Sequence, residues 1–324
     1  MDEEKLEGSP YHNNLVEDYR NIIYLCKEKQ DICVISLDES TKILIGMKSS
    51  VKDFFSITPM HFINAGIKGL THFNFLLNAV IQDVNNSTIE ELNVVLAILL
   101  HKGHNKSKTD HQSYRTISTC PVLAKALDTF IRDLNVDKWD IVQADTQYQG
   151  AGSSHELASL LITETIQYSL YTSKKPIFQL YLDARSAFDN VIIQYFIRNL
   201  YFSGTDDSSL LYINNRMTNR KTYCEWDKVV VGPINDEKGF EQGGGYSSDG
   251  YKLYNNEVLN TAQASKQGVS LGNNLVVSAV GQADDTVLVS NDIFSLRNLL
   301  LIALEYCLKY NVELSSQKTK LMVI

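Results

Sequence analysis

Proline is scarce in this 324-residue chain, with only 5, and no proline-rich tract or short repeat appears. That excludes collagen-like, linker-dominated and solenoid architectures. Cysteine is scarce too: Cys26, Cys33, Cys120, Cys224 and Cys307 are odd in number and scattered, with no CxxC pair. Neither a disulfide framework nor a common zinc motif is indicated, and a reducing, intracellular compartment, cytoplasmic and/or nuclear, is expected. The longest apolar stretches, 94–100 and 299–304, fall far short of the roughly 20 residues of a membrane-spanning helix, so a soluble chain with no membrane partner is expected. An excess of positive charge is missing as well. Thirty Lys and Arg face 38 Asp and Glu, for a net charge of -8, which argues against a protein that passively coats nucleic acid.

The composition that remains, 44% hydrophobic and 21% charged, is that of a folded protein of about two domains. Residues 1–20 hold six acids against two bases, with Gly8-Ser9-Pro10 as a break, and read as a solvated tail. The apolar runs between 50 and 100, including 92–100, read mostly as helices leading into a loop at His101-Lys102-Gly103-His104. In the second half the apolar run Ile177-Phe178-Gln179-Leu180-Tyr181-Leu182 has strand length and stops at Asp183. Phe188, Val191, Ile192, Tyr195, Phe196 and Leu200 then follow at helical spacing. Residues 275–280 and 286–290 form a predicted hairpin around Gly281-Gln282-Ala283-Asp284-Asp285, followed by an amphipathic helix from Ile293 to Leu308 and a closing strand over 320–324. Strand, helix, hairpin, helix, strand is the split βαβ order of ferredoxin-like antiparallel sheets, an α+β class.

That order brings Asp183, at the end of one strand, toward Asp284 and Asp285 in a neighbouring turn. Two full negative charges about 4 Å apart repel by roughly 4 kcal/mol at an effective dielectric near 20, so such a group takes up protons or cations. Hard divalent ions with oxygen ligands, Mg²⁺ above all, suit it. Taken alone, an Asp-Asp pair in a hairpin is ordinary turn chemistry. His101, His104, His111 and Cys120 match no common zinc spacing.

The run from Leu180 through Asp183 and Phe188 to Val191 resembles the first catalytic motif of reverse transcriptases, and Ala283-Asp284-Asp285 their paired-aspartate motif. Gly239-Phe240-Glu241-Gln242-Gly243-Gly244 is similar to the family's Gln-Gly motif. Leu99-Leu100-His101-Lys102-Gly103 and Ser113-Tyr114-Arg115-Thr116-Ile117-Ser118 resemble its fingers motifs, Gln147-Tyr148-Gln149-Gly150 through Ser153-Ser154 the segment after them, and Leu314 through Lys318 to Lys320 the last palm motif. On these blocks the chain resembles the reverse transcriptase domain of a non-LTR, LINE-like retrotransposon over about residues 60–324. The resemblance implies a right-hand polymerase, with 1–60 as an extension, 61–176 as mostly helical fingers and 177–324 as a palm; thumb and endonuclease are expected to be absent.

It further implies two Mg²⁺ ions, with Mn²⁺ as a substitute, held by Asp183, Asp284 and Asp285. Lys318 is implied as the proton donor to leaving pyrophosphate, Lys102 and Arg115 as triphosphate ligands, Phe188 as a barrier to a 2′-hydroxyl, and Gln242-Gly243 as the floor beneath the nascent base pair. The implied partners are an RNA template, a DNA primer and dNTPs. The glycines at 239, 243, 244, 245 and 250 suit a flexible phosphate cradle or a structural loop equally. A further cationic patch is expected around Arg216, Arg220 and Lys221. The sequence departs from the family at Gln282, where an aromatic is usual, at Thr116, where proline is usual, and at Glu241. Two alternatives therefore stand beside the polymerase: a catalytically decayed module that binds nucleic acid or protein, and an RNA-templated RNA polymerase, which Phe188 disfavours.

Overall fold

The computed structural model describes residues 10–29, 33–48, 51–84, 90–103, 106–110, 113–149, 154–227, 229–273 and 275–324. Gly8-Ser9, His104, His111 and the stretch from Gly150 to Ser153 lie outside them. The fold is mixed α/β. Helix α1 (Pro10–Lys29) opens on a proline, tolerated in a first turn whose N–H groups lack helical partners, and ends with Lys27 and Lys29 against its negative dipole end. Helix α2 (Leu37–Gly46) starts at a capping box in which Glu39 N donates to Ser36 Oγ and Ser36 N to the Glu39 carboxylate. After α3 (Pro59–Asn64), α4 (Gly66–Gln82) buries Phe73, Leu77, Val80 and Ile81 on one stripe.

A 3₁₀ turn at Glu90–Asn93 leads into strand β1 (Val94–His101), where a helix is expected from the sequence. The correction has a physical reason. Strand β1 is paired on both edges, antiparallel to β2 (Tyr114–Thr119) and parallel to β4 (Lys221–Trp226), so its apolar run does not alternate as a one-sided strand would, and β-branched Val94, Val95 and Ile98 favour the pleat. With β5 (Val229–Asn235) these form a sheet of order β2-β1-β4-β5. Helix α5 (Val122–Ile141) follows β2, while α7 (Ile193–Phe202) and α8 (Asp207–Thr218) precede β4.

The second sheet has the order β10-β3-β9-β8, built from β3 (Phe178–Leu182), β8 (Ala279–Gln282), β9 (Asp285–Ser290) and β10 (Lys320–Val323), with every neighbouring pair antiparallel. Helix α6 (His155–Gln167), continued by a π-helical turn at Tyr168–Ser173, precedes β3; α9 (Ser247–Ala264) lies before the hairpin and α10 (Ile293–Lys309) between β9 and β10. The expected strand over 275–280 is instead two strands. Ser278 N and Ala279 N both donate to Gln263 Oε1, at 2.6 and 3.1 Å, which breaks the run. Its first part, β7 (Leu275–Val277), pairs with β6 (Val269–Gly272) in a separate two-stranded sheet. The helix expected from Phe188 begins only at Ile193, because Asp189 N and Asn190 N close a turn onto Ser186 O.

Two compact units result. The first joins the start of α1 to Trp139–Phe196 and Ser248–Ile324, and the second comprises Val16–Lys138 and Ile197–Ser247. The first unit's core gathers Ile177, Val269, Val277, Val280, Val287 and Val289. Leu288 is fully buried between Leu180 and Ala279 on the flanking strands. Its truncation in Leu288→Ala is expected to cost about 2–5 kcal/mol, read as a lowered urea midpoint at unchanged slope.

Candidate active site

Strands β3 and β9 pair with Leu182 opposite Thr286, so one further step of the register sets Asp183 level with Asp285. Strands β8 and β9 are joined by two residues only, Ala283 and Asp284, with Gln282 opposite Asp285. Ala283 takes φ 57°, a left-handed conformation that two-residue turns usually give to glycine. The segment before β10 is laid beside β3's end: Ser315 N donates to Asp183 O at 2.8 Å and Arg185 N to Glu313 O at 2.7 Å. From it Lys318 Nζ reaches Asp183 Oδ1 at 3.1 Å.

The group is electrostatically unbalanced. Burial pushes Asp284 above the ordinary carboxylate value, the charge of Asp183 adds to the rise, and Lys318 opposes it. Asp285 is raised by burial, then by Asp284 and Asp183, again against Lys318. Asp183 Oδ2 is buried without a hydrogen-bond partner. Among the described residues no three His, Cys, Asp or Glu side chains are gathered as a metal cage. The donor chemistry, carboxylate oxygens that repel one another and one that lacks a partner, nevertheless fits a hard divalent cation.

Phe188 lies flat on Tyr251 of α9, with ring centroids 4.8 Å apart and planes 15° apart. Tyr251 is buried, and burial with the nearby charge of Asp284 drives its phenol far up, so it stays protonated. One turn further along α9, buried Asn255 donates to Ala283 O at 3.2 Å, and Gln147 Oε1 accepts from Ala283 N at 3.2 Å. The sequence motifs singled out neither Tyr251 nor Asn255. Their four-residue spacing on one helix face was legible, but not the turn that this face meets.

In the second unit the β1–β2 hairpin carries the other expected ligands. Lys102 N donates to Ser113 O at 2.8 Å as the strands end, and Arg115 pairs in register with Leu100; both side chains are exposed. The Gln242-Gly243 loop is fixed at several points. Gln242 O accepts from Ser118 N at 2.9 Å, and Gly243 at φ 113° lies so near Ser118 O that a side chain would crowd it. Arg216 and Glu241 make a buried ion pair at 2.9 Å with side chains 1% and 9% exposed, while Asp128, pushed up by burial, accepts from Tyr212 Oη at 3.0 Å. Burial alone would lower Arg216, but Glu241 and Asp128 hold it a firm cation.

The expected cationic patch at Arg216, Arg220 and Lys221 is therefore corrected. Arg216 is internal, buried Arg220 donates to Asp236, Gly239 O and Lys238 O, and Lys221 is paired with Glu90. Charge that looks free in the sequence is used to fasten the glycine-rich loop. His101, from the discounted zinc set, accepts from Gly103 N at 3.1 Å.

A model of the family described as reverse transcriptase (RNA-dependent DNA polymerase) matches residues 104–323. That span takes in every site residue expected from the sequence except Lys102. A search of curated proteins returned no match.

Two outcomes follow from the charges. Because burial raises Asp284, the stability it contributes is present below about pH 4 and is lost as pH rises through its folded value. In divalent-free buffer Asp284→Asn should therefore melt about a degree or two above the unsubstituted chain at neutral pH, with the gap closing toward pH 4; melting curves across that range check it. Glu241→Ala, which leaves buried Arg216 only Asp128 as a nearby counter-charge, should cost about 3 kcal/mol in urea unfolding.

Proposed function

This chain belongs to the reverse transcriptase family, and from that premise we propose that it is the RNA-directed DNA polymerase domain of a non-LTR retrotransposon, adding deoxynucleotides to a primer 3′-hydroxyl on an RNA template. The observation that supports the proposal is the strand register that sets Asp183 level with Asp285, with Asp284 in the adjoining turn and Lys318 Nζ 3.1 Å from Asp183 Oδ1. We assign that sheet with α9 and α10 as the palm, and the β1–β2 hairpin to the fingers.

In this assignment Asp183 and Asp284 hold two Mg²⁺ ions, or Mn²⁺ in their place, with Asp285 contributing. When bound, such ions make the primer hydroxyl a better nucleophile and neutralise charge on the transferring phosphoryl group. Lys318 sits on Asp183 as a counter-cation and is assigned the proton that leaves with pyrophosphate. Lys102 and Arg115 are assigned to the triphosphate, Arg115 through its planar bidentate fork and Lys102 as a mobile point charge. Phe188, braced flat against Tyr251, is assigned the sugar face of the incoming nucleotide, where a fixed ring leaves no room for a 2′-hydroxyl. Gln242 and Gly243 are assigned the nascent base pair.

One observation favours a second reading. The ion pair between Lys318 and Asp183, with no three-acid cage among the described residues, also suits a module that binds nucleic acid without catalysis. Primer extension by the full chain on an RNA template in Mg²⁺ decides between them. Extension with dNTPs is expected, reduced by at least ~10²-fold in Asp284→Asn, since a lost metal ligand removes several kcal/mol of transition-state stabilisation. Extension with rNTPs alone would instead indicate an RNA polymerase, and no extension with either would leave the binding module. Phe188→Ala should raise ribonucleotide incorporation roughly tenfold relative to deoxyribonucleotide in the same assay.

A further inference from the structure

We propose that Gln147 and Asn255 form an amide clamp on the Ala283 peptide units, and that this clamp, rather than the turn's own preference, positions Asp284. The inference rests on the reading of Asp284 as a divalent-ion ligand.

Ala283 is the residue on which the orientation of Asp284 depends. It holds a left-handed φ of 57° in a two-residue turn, a conformation that an alanine leaves readily and glycine tolerates. Two buried side chains grip it. Gln147, 7% exposed, accepts from its N–H at 3.2 Å, and Asn255, 4% exposed, donates to its carbonyl at 3.2 Å and lies 3.4 Å from Thr286 Oγ1 at the start of β9. One clamp arm thus takes the amide and the other the carbonyl of a strained residue. Strain that persists next to a candidate ligand needs surroundings that over-determine it, and these two amides supply that.

Both arms are themselves held. Thr146 O accepts from Gly281 N at 2.9 Å and Tyr148 N donates to Gly281 O at 2.8 Å, so the backbone on either side of Gln147 is bonded to β8 two residues before the turn. The approach is close: a Cβ on Gly281 would stand 2.7 Å from Leu259 Cδ1 and 3.1 Å from Gln147 Nε2. Asn256, next to Asn255 on α9, donates to Val142 O at 2.6 Å and accepts from Ala144 N at 2.7 Å, which ties the loop carrying Gln147 to the helix carrying Asn255. Gln147 also leaves Nε2 buried with no partner. The bond from Ala283 N to its Oε1 is therefore the hydrogen bond that holds this side chain.

The test is Mn²⁺ binding to the full chain, followed by electron paramagnetic resonance, alongside hydrogen exchange at the Ala283 amide. Gln147→Met keeps the length and removes the acceptor. It should weaken Mn²⁺ binding roughly tenfold, as loss of a group that orients a metal ligand typically does, and speed exchange at Ala283 while the melting temperature holds or rises. Adding Ala283→Gly, which lets the turn keep its conformation unaided, should restore a good part of the lost affinity; a merely structural role for Gln147 would give no such rescue. Asp284→Asn serves as the control. If Asp284→Asn loses Mn²⁺ while Gln147→Met binds it at full strength, the clamp is wrong and the carboxylate reading stands. If Asp284→Asn binds as tightly as the unsubstituted chain, both fall.

Discussion

Like charge at one end of a sheet is the constraint on which the rest of the first unit depends. Asp183, Asp284 and Asp285 are drawn together by strand register, burial raises two of them, and Lys318 is the cation whose charge opposes the rise. Such a group is not where a fold gains stability, since separated carboxylates would repel less. The chain nevertheless holds it from three directions: the pairing of β3 with β9, the two-residue turn, and the main-chain bonds from 313–315 to the end of β3. An arrangement held against its own repulsion suits the divalent cation proposed for it.

Helix α9 connects that charge problem to the expected choice of nucleotide. Tyr251 and Asn255 lie one turn apart on it; the first stacks under Phe188, and the second grips the turn that presents Asp284. Tyr254, on the same buried side, donates to Tyr310 O at 2.9 Å, beyond the end of α10. The proposed sugar barrier and the proposed metal ligand are thus referenced to one rigid element. A shift of α9 would move both together, which keeps their spacing even where the turn and the 185–190 segment have no regular structure of their own.

The local signals of the site were legible in the sequence, and the long-range ones were not. Asp183 closing an apolar run appears in the structure as expected, Asp284 lies in the expected turn while Asp285 opens β9, and α10 forms with Leu296, Leu299, Ala303 and Cys307 buried while Ile293, Leu304 and Leu308 stay exposed. Residues 92–100 misled because a strand paired on both edges shows the continuous apolar pattern of a buried helix. The break at Ser278 arises from Gln263, 15 residues earlier, whose side chain competes for the strand's N–H groups. Phe188 sits at helical spacing from Val191 and Ile192, yet the turn onto Ser186 delays the helix to Ile193. Arg216 looked like surface charge because its partner, Glu241, lies 25 residues away and past a hairpin.

The same burial changes what the net charge of -8 means. An acidic total is ill suited to a polyanionic partner, and some of the basic side chains are not available to one: Arg216, Arg220 and Lys252 are almost wholly buried, and each is paired with a carboxylate. The cations spent there hold loops and helices in place and are lost to the surface. By contrast Lys102, Lys106, Lys108 and Arg115 are exposed together on and between β1 and β2, against the single acid Asp110. The β1–β2 hairpin thus offers phosphate a local cluster of positive charge, whose attraction is screened by salt over about a Debye length and falls off quickly. The sign that matters for a nucleic-acid partner is set by which charges the fold leaves outside, and the hairpin that carries them is also the element assigned to the triphosphate.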